Sequence, residues 1–307
     1  AAIECDWRAS YKLDTPQLAA LLSAEEDVCW LTASKLNAFV MYEPGCANSA
    51  TFPEREVVRL PSKPDIATEF GTEVHAMLED VSNMVLGAAR RSLDQVVAAH
   101  RANIAHLDFP AGEVSRYLER FDAICKMFVP WLMGHVAGRR CVAEARLHAA
   151  TAAGSPIYGI QDLLLVDDGA KTVRIIDFKT GLKHEVPEKY ERQLKFYKLL
   201  VESSAEFEGY TVEAMGDYYV EPDKETGELS KPFMATATAE EVRELERLID
   251  AVWARVREGA WDTSAFEQSQ LFEQAREQQE SCRNKKEKAA VMQQAYEQWL
   301  VETAPGC

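Results

Sequence analysis

PIYGIQDLLLVDDGAKTVRIIDFKTG, residues 156–181, decides the fold. Two runs rich in aliphatic and β-branched residues, 156–166 and 172–178, flank DDGAK at 167–171, a turn-forming stretch, so the segment reads as two antiparallel strands. Working outward, RRCVAEARLHAA at 139–150 is a further strand, joined to PIYGIQDLLLV through the turn-forming AAGSP. Downstream, a helix is expected from about Pro187, a favourable first-turn residue, to Ser203, with Tyr190, Leu194, Tyr197 and Val201 on one face. EAMGDYYVEP at 213–222 reads as a fourth strand.

The residues before this β-rich part have helical periodicity. Phe70, Val74, Met77, Leu78, Val81 and Val85 predict a helix from about Ile66 to Leu86, which Gly87 is suited to end. Val114, Tyr117, Leu118, Phe121, Ile124, Cys125 and Phe128 predict another before Gly138, with a more polar helical connector between the two. After the fourth strand, Val242, Leu245, Leu248, Ile249, Val252 and Val256 mark an amphipathic helix, and a Glu/Gln/Lys-rich segment closes the chain as a solvated helix. The organisation expected is therefore a largely helical part over 1–137, a core over 138–222 and a helical extension over 223–307.

Of 307 residues, 47% are hydrophobic and 27% charged, which supports a packed core and excludes disordered and fibrous classes. A net charge of −16 argues against a protein that coats nucleic acid with its whole surface, but leaves room for a local basic groove. No stretch has the roughly 18 apolar residues of a membrane span, and residues 1–30 lack a basic end followed by an apolar block. Seven cysteines, none closer than 16 positions to another, suggest neither a disulfide framework nor a CxxC knuckle. An intracellular, cytoplasmic protein in a reducing compartment is expected. No GxxxxGK[ST] loop is present, so no nucleotide cofactor or ATP-driven translocation is expected.

Chemistry concentrates where GIQD ends at Asp162 and IIDFKTG supplies Asp177 and Lys179. On a strand, Asp177 and Lys179 share one face while Phe178 takes the other. Taken alone, such a pair is also a plain ion pair. A turn at DDGAK, however, would bring Asp162 opposite Asp177, and like charges so close call for a cation. Hard oxygen ligands with room for water suit Mg²⁺ or Mn²⁺, which could hold a scissile phosphate and lower the pKa of a bound water. Lys179 would position or help deprotonate that water. His75 on the helix carrying GTEVH could complete the shell, although a lone histidine is more often merely packed or solvated. Gln193 and Tyr197, four apart on a helix, share a face, where Tyr197 also fits the apolar stripe.

GTEVH at 71–75, GIQD at 159–162, IIDFKTG at 175–181 and QLKFY at 193–197, in this order, resemble the PD-(D/E)XK nuclease superfamily and, within it, the RecB-like nuclease domains. LTASKLNAFVMYEPG at 31–45 resembles the segment that opens those domains, so the likeness spans roughly residues 31–220. It implies an α/β (α+β) fold with a restriction-endonuclease-like core, a mixed central sheet flanked by helices, and helical additions at both ends. It also implies that His75, Asp162 and Asp177 ligate metal with the Phe178 backbone carbonyl, that Lys179 is catalytic, and that Gln193 and Tyr197 support the site and contact nucleic acid. Glu144, on the strand before GIQD, is a further candidate for a second metal or else an exposed strand glutamate. Gly159 to Asp162 replaces the proline-aspartate that names the superfamily. Glu43 stands where many relatives have cysteine, and Cys46, Cys282 and Cys307 lack the usual spacing, so no iron-sulfur cluster is expected.

The implied activity is that of a Mg²⁺- or Mn²⁺-dependent deoxyribonuclease, an exonuclease, hydrolysing phosphodiesters through metal-activated water. Two alternatives stay open: a nuclease-like fold kept as a nucleic-acid-binding or assembly module, and an RNA-directed nuclease. A helicase or recombination protein is a conceivable partner. Over 139–198 the chain has eleven Lys and Arg against eight Asp and Glu, and Lys183, Lys189, Arg192 and Lys195 are the candidate phosphate contacts on an otherwise acidic molecule, unless they form a solvated helix face.

Overall fold

The computed structural model describes residues 30–40, 65–181 and 188–257, with eight isolated positions between 273 and 298. The chain divides into two compact units, Asp65–Glu246 and a second made of Ala1–Pro64 with Arg247–Cys307. In the second, helix α1 (Ala33–Val40) buries Leu36. Among the described residues, no helix is long and apolar enough to cross a membrane.

Three helices of the larger unit form one layer. Helix α2 (Ile66–Val85) starts where the Asp65 carboxylate accepts from the Ala67 N–H at 3.1 Å, and it buries Phe70, Val74, Met77, Leu78 and Val81 at steps of three and four. Gly87, at φ +75°, follows its end in a conformation that glycine adopts without strain. The polar connector is helix α3 (Leu93–Ala105), fixed at its start by reciprocal Ser92 and Gln95 hydrogen bonds. Helix α4 (Ala111–Val136) buries Val114, Tyr117, Phe121, Ile124, Phe128 and Leu132. These stripes share one core with Leu163, Leu165, Ile176, Phe178 and Val220. Each fully buried aromatic contributes roughly 2–3 kcal/mol of transfer free energy.

The sheet runs in chain order through β1 (Arg140–Ala150), β2 (Pro156–Asp167), β3 (Thr172–Lys179), β4 (Thr211–Tyr219) and β5 (Phe233–Ala235). The three runs identified in the sequence are successive antiparallel strands, whereas β3 and β4 are parallel. A parallel pair requires a crossover, and helix α5 (Glu188–Ser203) supplies it by packing on the sheet face opposite α2 to α4. Close packing there depends on Gly159, where a Cβ would lie 2.8 Å from Leu200 Cδ2. Strand β5 is too short for alternation to show in the sequence, and it pairs antiparallel with β4 through Met215↔Ala235 and Asp217↔Phe233. Helix α6 (Ala239–Arg257) begins at Thr238, whose hydroxyl accepts from the Glu241 N–H while Glu241 accepts from the Thr238 N–H.

A mixed five-stranded sheet flanked by helices is the α+β, restriction-endonuclease-like architecture expected from the motifs. Glu43, Cys46, Lys183, Cys282, Cys307 and most of the Glu/Gln/Lys-rich closing segment lie outside the described residues.

Candidate active site

The site forms where β2 and β3 part. Their pairing runs from Asp167↔Thr172 to Leu163↔Ile176, and the turn is held by the Asp167 carboxylate accepting from the Gly169 and Ala170 N–H groups. Two residues beyond Ile176, the Phe178 N–H donates to the Asp162 side chain (2.5 Å to Oδ2) in place of a main-chain acceptor on β2. The other carboxylate oxygen, Oδ1, lies 3.0 Å from His75 Nδ1. An ionised carboxylate can only accept, so Nδ1 carries a proton, and Nε2 is the nitrogen that would offer a lone pair to a cation when the ring is neutral. Gly71 lets α2 come this near: a Cβ there would stand 3.1 Å from Thr180 Oγ1 in the DFKTG segment.

Glu144 completes this half. One ligand atom each from His75, Glu144 and Asp162 lie within 4.8 Å of one another, in an open cleft of about 640 Å³ also lined by Thr68, Thr72 and Glu79. Burial, the Asp162 charge and the Glu79 charge push the Glu144 carboxyl above the ordinary range. For His75, burial alone would favour the neutral ring, yet the Asp162 hydrogen bond and the surrounding carboxylates outweigh it and raise the pKa. One imidazole nitrogen and two crowded carboxylates are a donor set that fits a divalent cation.

Glu144 also has φ +47° in the middle of β1, between the pairs Ala143↔Leu163 and Ala145↔Gln161. A non-glycine residue in that region is strained, and such strain is kept where surrounding structure overrides it. Two variants separate backbone from carboxylate. Glu144→Gly should gain about 1 kcal/mol of stability by relieving the backbone, while Glu144→Gln should lack that part of the gain. Both should weaken Mn²⁺ binding about tenfold or more, measured by calorimetry beside thermal melts of the cation-free protein.

The second half lies on the α5 side. Asp177 is buried, and Lys179 Nζ lies 2.5 Å from its Oδ2. The same ammonium donates to Gln193 Oε1 (3.0 Å) and sits 4.7 Å from the centroid of the Tyr190 ring. The Gln193 amide donates to Tyr197 Oη (2.9 Å) and, at 3.4 Å, to Asp177 Oδ1. Tyr197 is mostly buried, so it serves the core and this network together. Burial first, then the Asp162 charge, push Asp177 up to about 7. Burial opposes the charge on Lys179, but Asp177 and Asp217 outweigh it and raise its pKa, so it is an ammonium.

The structure thus brings His75, Glu144 and Asp162 together on one side of the parting strands and Asp177, Lys179, Gln193 and Tyr197 on the other. The carboxylates are not simply paired with each other: Asp162 is engaged by His75, and Asp177 by Lys179. Phe178 turns away into the core, with its ring centroid 5.6 Å from that of Phe128 and 6.1 Å from His75. Of the candidate phosphate contacts, Lys195 is held between Glu191 (2.7 Å) and Glu241 (2.8 Å), Arg192 reaches Glu188 at 3.9 Å, and Lys189 lies over Tyr190.

Two acidic residues at the site escape the sequence reading. Glu79 stands one helical turn after His75. Asp217, fully buried on β4, is paired in register with Asp177, and burial pushes its carboxyl up to about 6. The available signal was DYY at 217–219: a strand laid parallel to DFK by a crossover helix sets the two triplets side by side.

The model of one protein family, the PD-(D/E)XK nuclease superfamily, matches residues 46–286. The chain belongs to that superfamily. PD-(D/E)XK nucleases hydrolyse phosphodiester bonds of nucleic acids with divalent metal ions, and the two halves of the site contain the residue types this chemistry needs. Among solved structures, the chain is similar to a protein from Eubacterium rectale to which an exonuclease role is ascribed, at 12% identity over 81% of this chain and 88% of that one, with a TM-score of 0.47. No curated protein matches the sequence.

Proposed function

We propose that this PD-(D/E)XK nuclease is a Mg²⁺- or Mn²⁺-dependent deoxyribonuclease of the RecB-like branch that degrades DNA from its ends. The observation that carries the reading is the convergence of His75, Glu144 and Asp162 at one point of a cleft, beside a buried Asp177 and Lys179 pair anchored by Gln193. A cation there would be held by His75, Asp162 and Asp177 with the Phe178 carbonyl, and Glu144 would bind or orient a second one. When bound, it supplies Lewis acidity toward the scissile phosphate and acidifies water. Lys179, positively charged, neutralises developing charge on the phosphate. Gln193 fixes the lysine head, and Tyr197 fixes Gln193. Lys189, Arg192 and Lys195 on α5, with Lys183 before them in the sequence, would be the phosphate contacts, and exchange of the carboxylate partners of Arg192 and Lys195 for phosphates would admit the substrate strand.

Mg²⁺ and Mn²⁺ assays on linear duplex, covalently closed circular, single-stranded DNA and RNA test this directly. Release of mononucleotides or short products from linear DNA, with closed circles and RNA intact, is expected. Cutting of closed circles would remove the exonuclease reading, preference for RNA would remove the DNA reading, and binding without cleavage in either cation would make the fold a recognition module.

A further inference from the structure

We propose that Asp217 is a positioning residue for Lys179, the anion that keeps the lysine head in place beside Gln193 once a divalent cation holds the Asp177 carboxylate. This rests on the nuclease reading above. The starting observation is a buried carboxylate with almost no hydrogen-bond donor: Asp217 is 0% exposed, and neither of its oxygens has a donor among the described residues other than the neighbouring Asp177 carboxyl, which a bound cation would take away. A buried carboxylate in that condition costs several kcal/mol unless a cation offsets it. The cation nearby is Lys179, whose Nζ lies 3.8 Å from Asp217 Oδ1, farther than from Asp177.

The register explains the arrangement. β3 and β4 are parallel with Asp177↔Asp217 and Lys179↔Tyr219 paired, so two aspartates flank one ammonium from adjacent strands. In the cation-free protein, Asp177 is the nearer partner. Asp177 is also the residue a divalent cation needs, and its Oδ2 is otherwise without a hydrogen-bond donor. When that carboxylate turns to the cation, Lys179 loses its closest counter-charge in a buried place. Gln193 offers a neutral acceptor at 3.0 Å, which does not balance a charge. Asp217, fully buried on the neighbouring strand β4, is the anion left to do so.

Asp217→Asn, with Asp217→Ser read in parallel in case the buried amide prevents folding, separates this role from others. In the full chain acting on linear DNA with Mn²⁺, kcat is expected to fall about tenfold or more, with KM and the calorimetric Mn²⁺ affinity within about twofold of the parent. A second readout needs no turnover. In chelator at pH 8, the shift in melting temperature caused by Asp217→Asn should be more favourable by about 2 °C or more in a Lys179→Ala background than in the parent, because only the parent loses a counter-charge. An unchanged kcat, or equal melting shifts in both backgrounds, would overturn the proposal. A tenfold loss of Mn²⁺ affinity would also overturn it by making Asp217 a ligand. Failure of the underlying reading looks different: Lys179→Ala and Asp177→Asn would then cleave like the parent.

Discussion

Asp177→Asn is expected to lose at least about a thousandfold in cleavage rate while its cation-free form melts later than the parent at pH 8. The first effect follows from removing an anionic ligand beside the lysine head. The second follows from burial. Asp177 is 4% exposed and is pushed up to about 7 by burial and by the Asp162 charge, against an ordinary value near 3.8. The folded protein therefore holds this proton more tightly than the unfolded chain. The stability it contributes is fully present below about pH 4 and is lost as pH rises toward and through 7, where folding must bury an ionised group. An amide carries no such burden, and Lys179 retains Asp217 as a counter-charge at 3.8 Å. Calorimetric melts in chelator should show a clear advantage for Asp177→Asn at pH 8 and little at pH 4. An equal advantage at both values would mean that ionisation is not the cause. Residues that bind a cation for catalysis are costly to the cation-free fold, and that cost should be visible here as a gain when one of them is neutralised.

Most of the fold was legible because strands and helices announce themselves by period. Phe70, Val74, Met77 and Val81 mark α2, and DDGAK between two β-rich runs marks the β2–β3 turn, where the Asp167 side chain holds the backbone. Strand β5 was not legible, since three residues show no alternation and their place depends on Gly216 leaving room for Met234 and the Phe233 carbonyl. At the site, His75, Asp162, Asp177, Lys179, Gln193 and Tyr197 stand at short spacings within recognisable motifs. Asp217 does not: it is 40 positions from Asp177, and only the parallel crossover through α5 brings them together. Glu144 was legible as a candidate but not as a strained residue, because φ +47° in a strand is imposed by tertiary packing and has no glycine to mark it. The division of the carboxylates, with Asp162 turned to His75 and Asp177 to Lys179, also depends on side-chain direction after the strands part, which a register argument does not carry.

Lys179→Met should lower the cleavage rate by about 10²–10⁴-fold while Mn²⁺ binds at least as tightly as to the parent. Methionine matches much of the lysine stem and removes only the charged head. That head lies 2.5 Å from Asp177 Oδ2 and 3.0 Å from Gln193 Oε1, so in the cation-free protein it competes with metal for Asp177. Its loss leaves Asp177 and Asp217 facing one another without the intervening positive charge, which raises the reward for binding a divalent cation. The raised pKa of Lys179 also bears on its role. Burial alone would lower it, but Asp177 and Asp217 keep the proton on, so at neutral pH the residue is an ammonium that stabilises charge and not a free amine that withdraws a proton from water. Lys179→Arg should consequently restore little activity, because a planar guanidinium cannot reproduce a compact head set between Asp177, Gln193 and the Tyr190 face. Calorimetry with Mn²⁺ and single-turnover cleavage on linear DNA separate the two effects. A Lys179→Met protein that lost both activity and Mn²⁺ affinity would show that the lysine organises the metal ligands, whereas lost activity with tighter Mn²⁺ places its contribution on the phosphate.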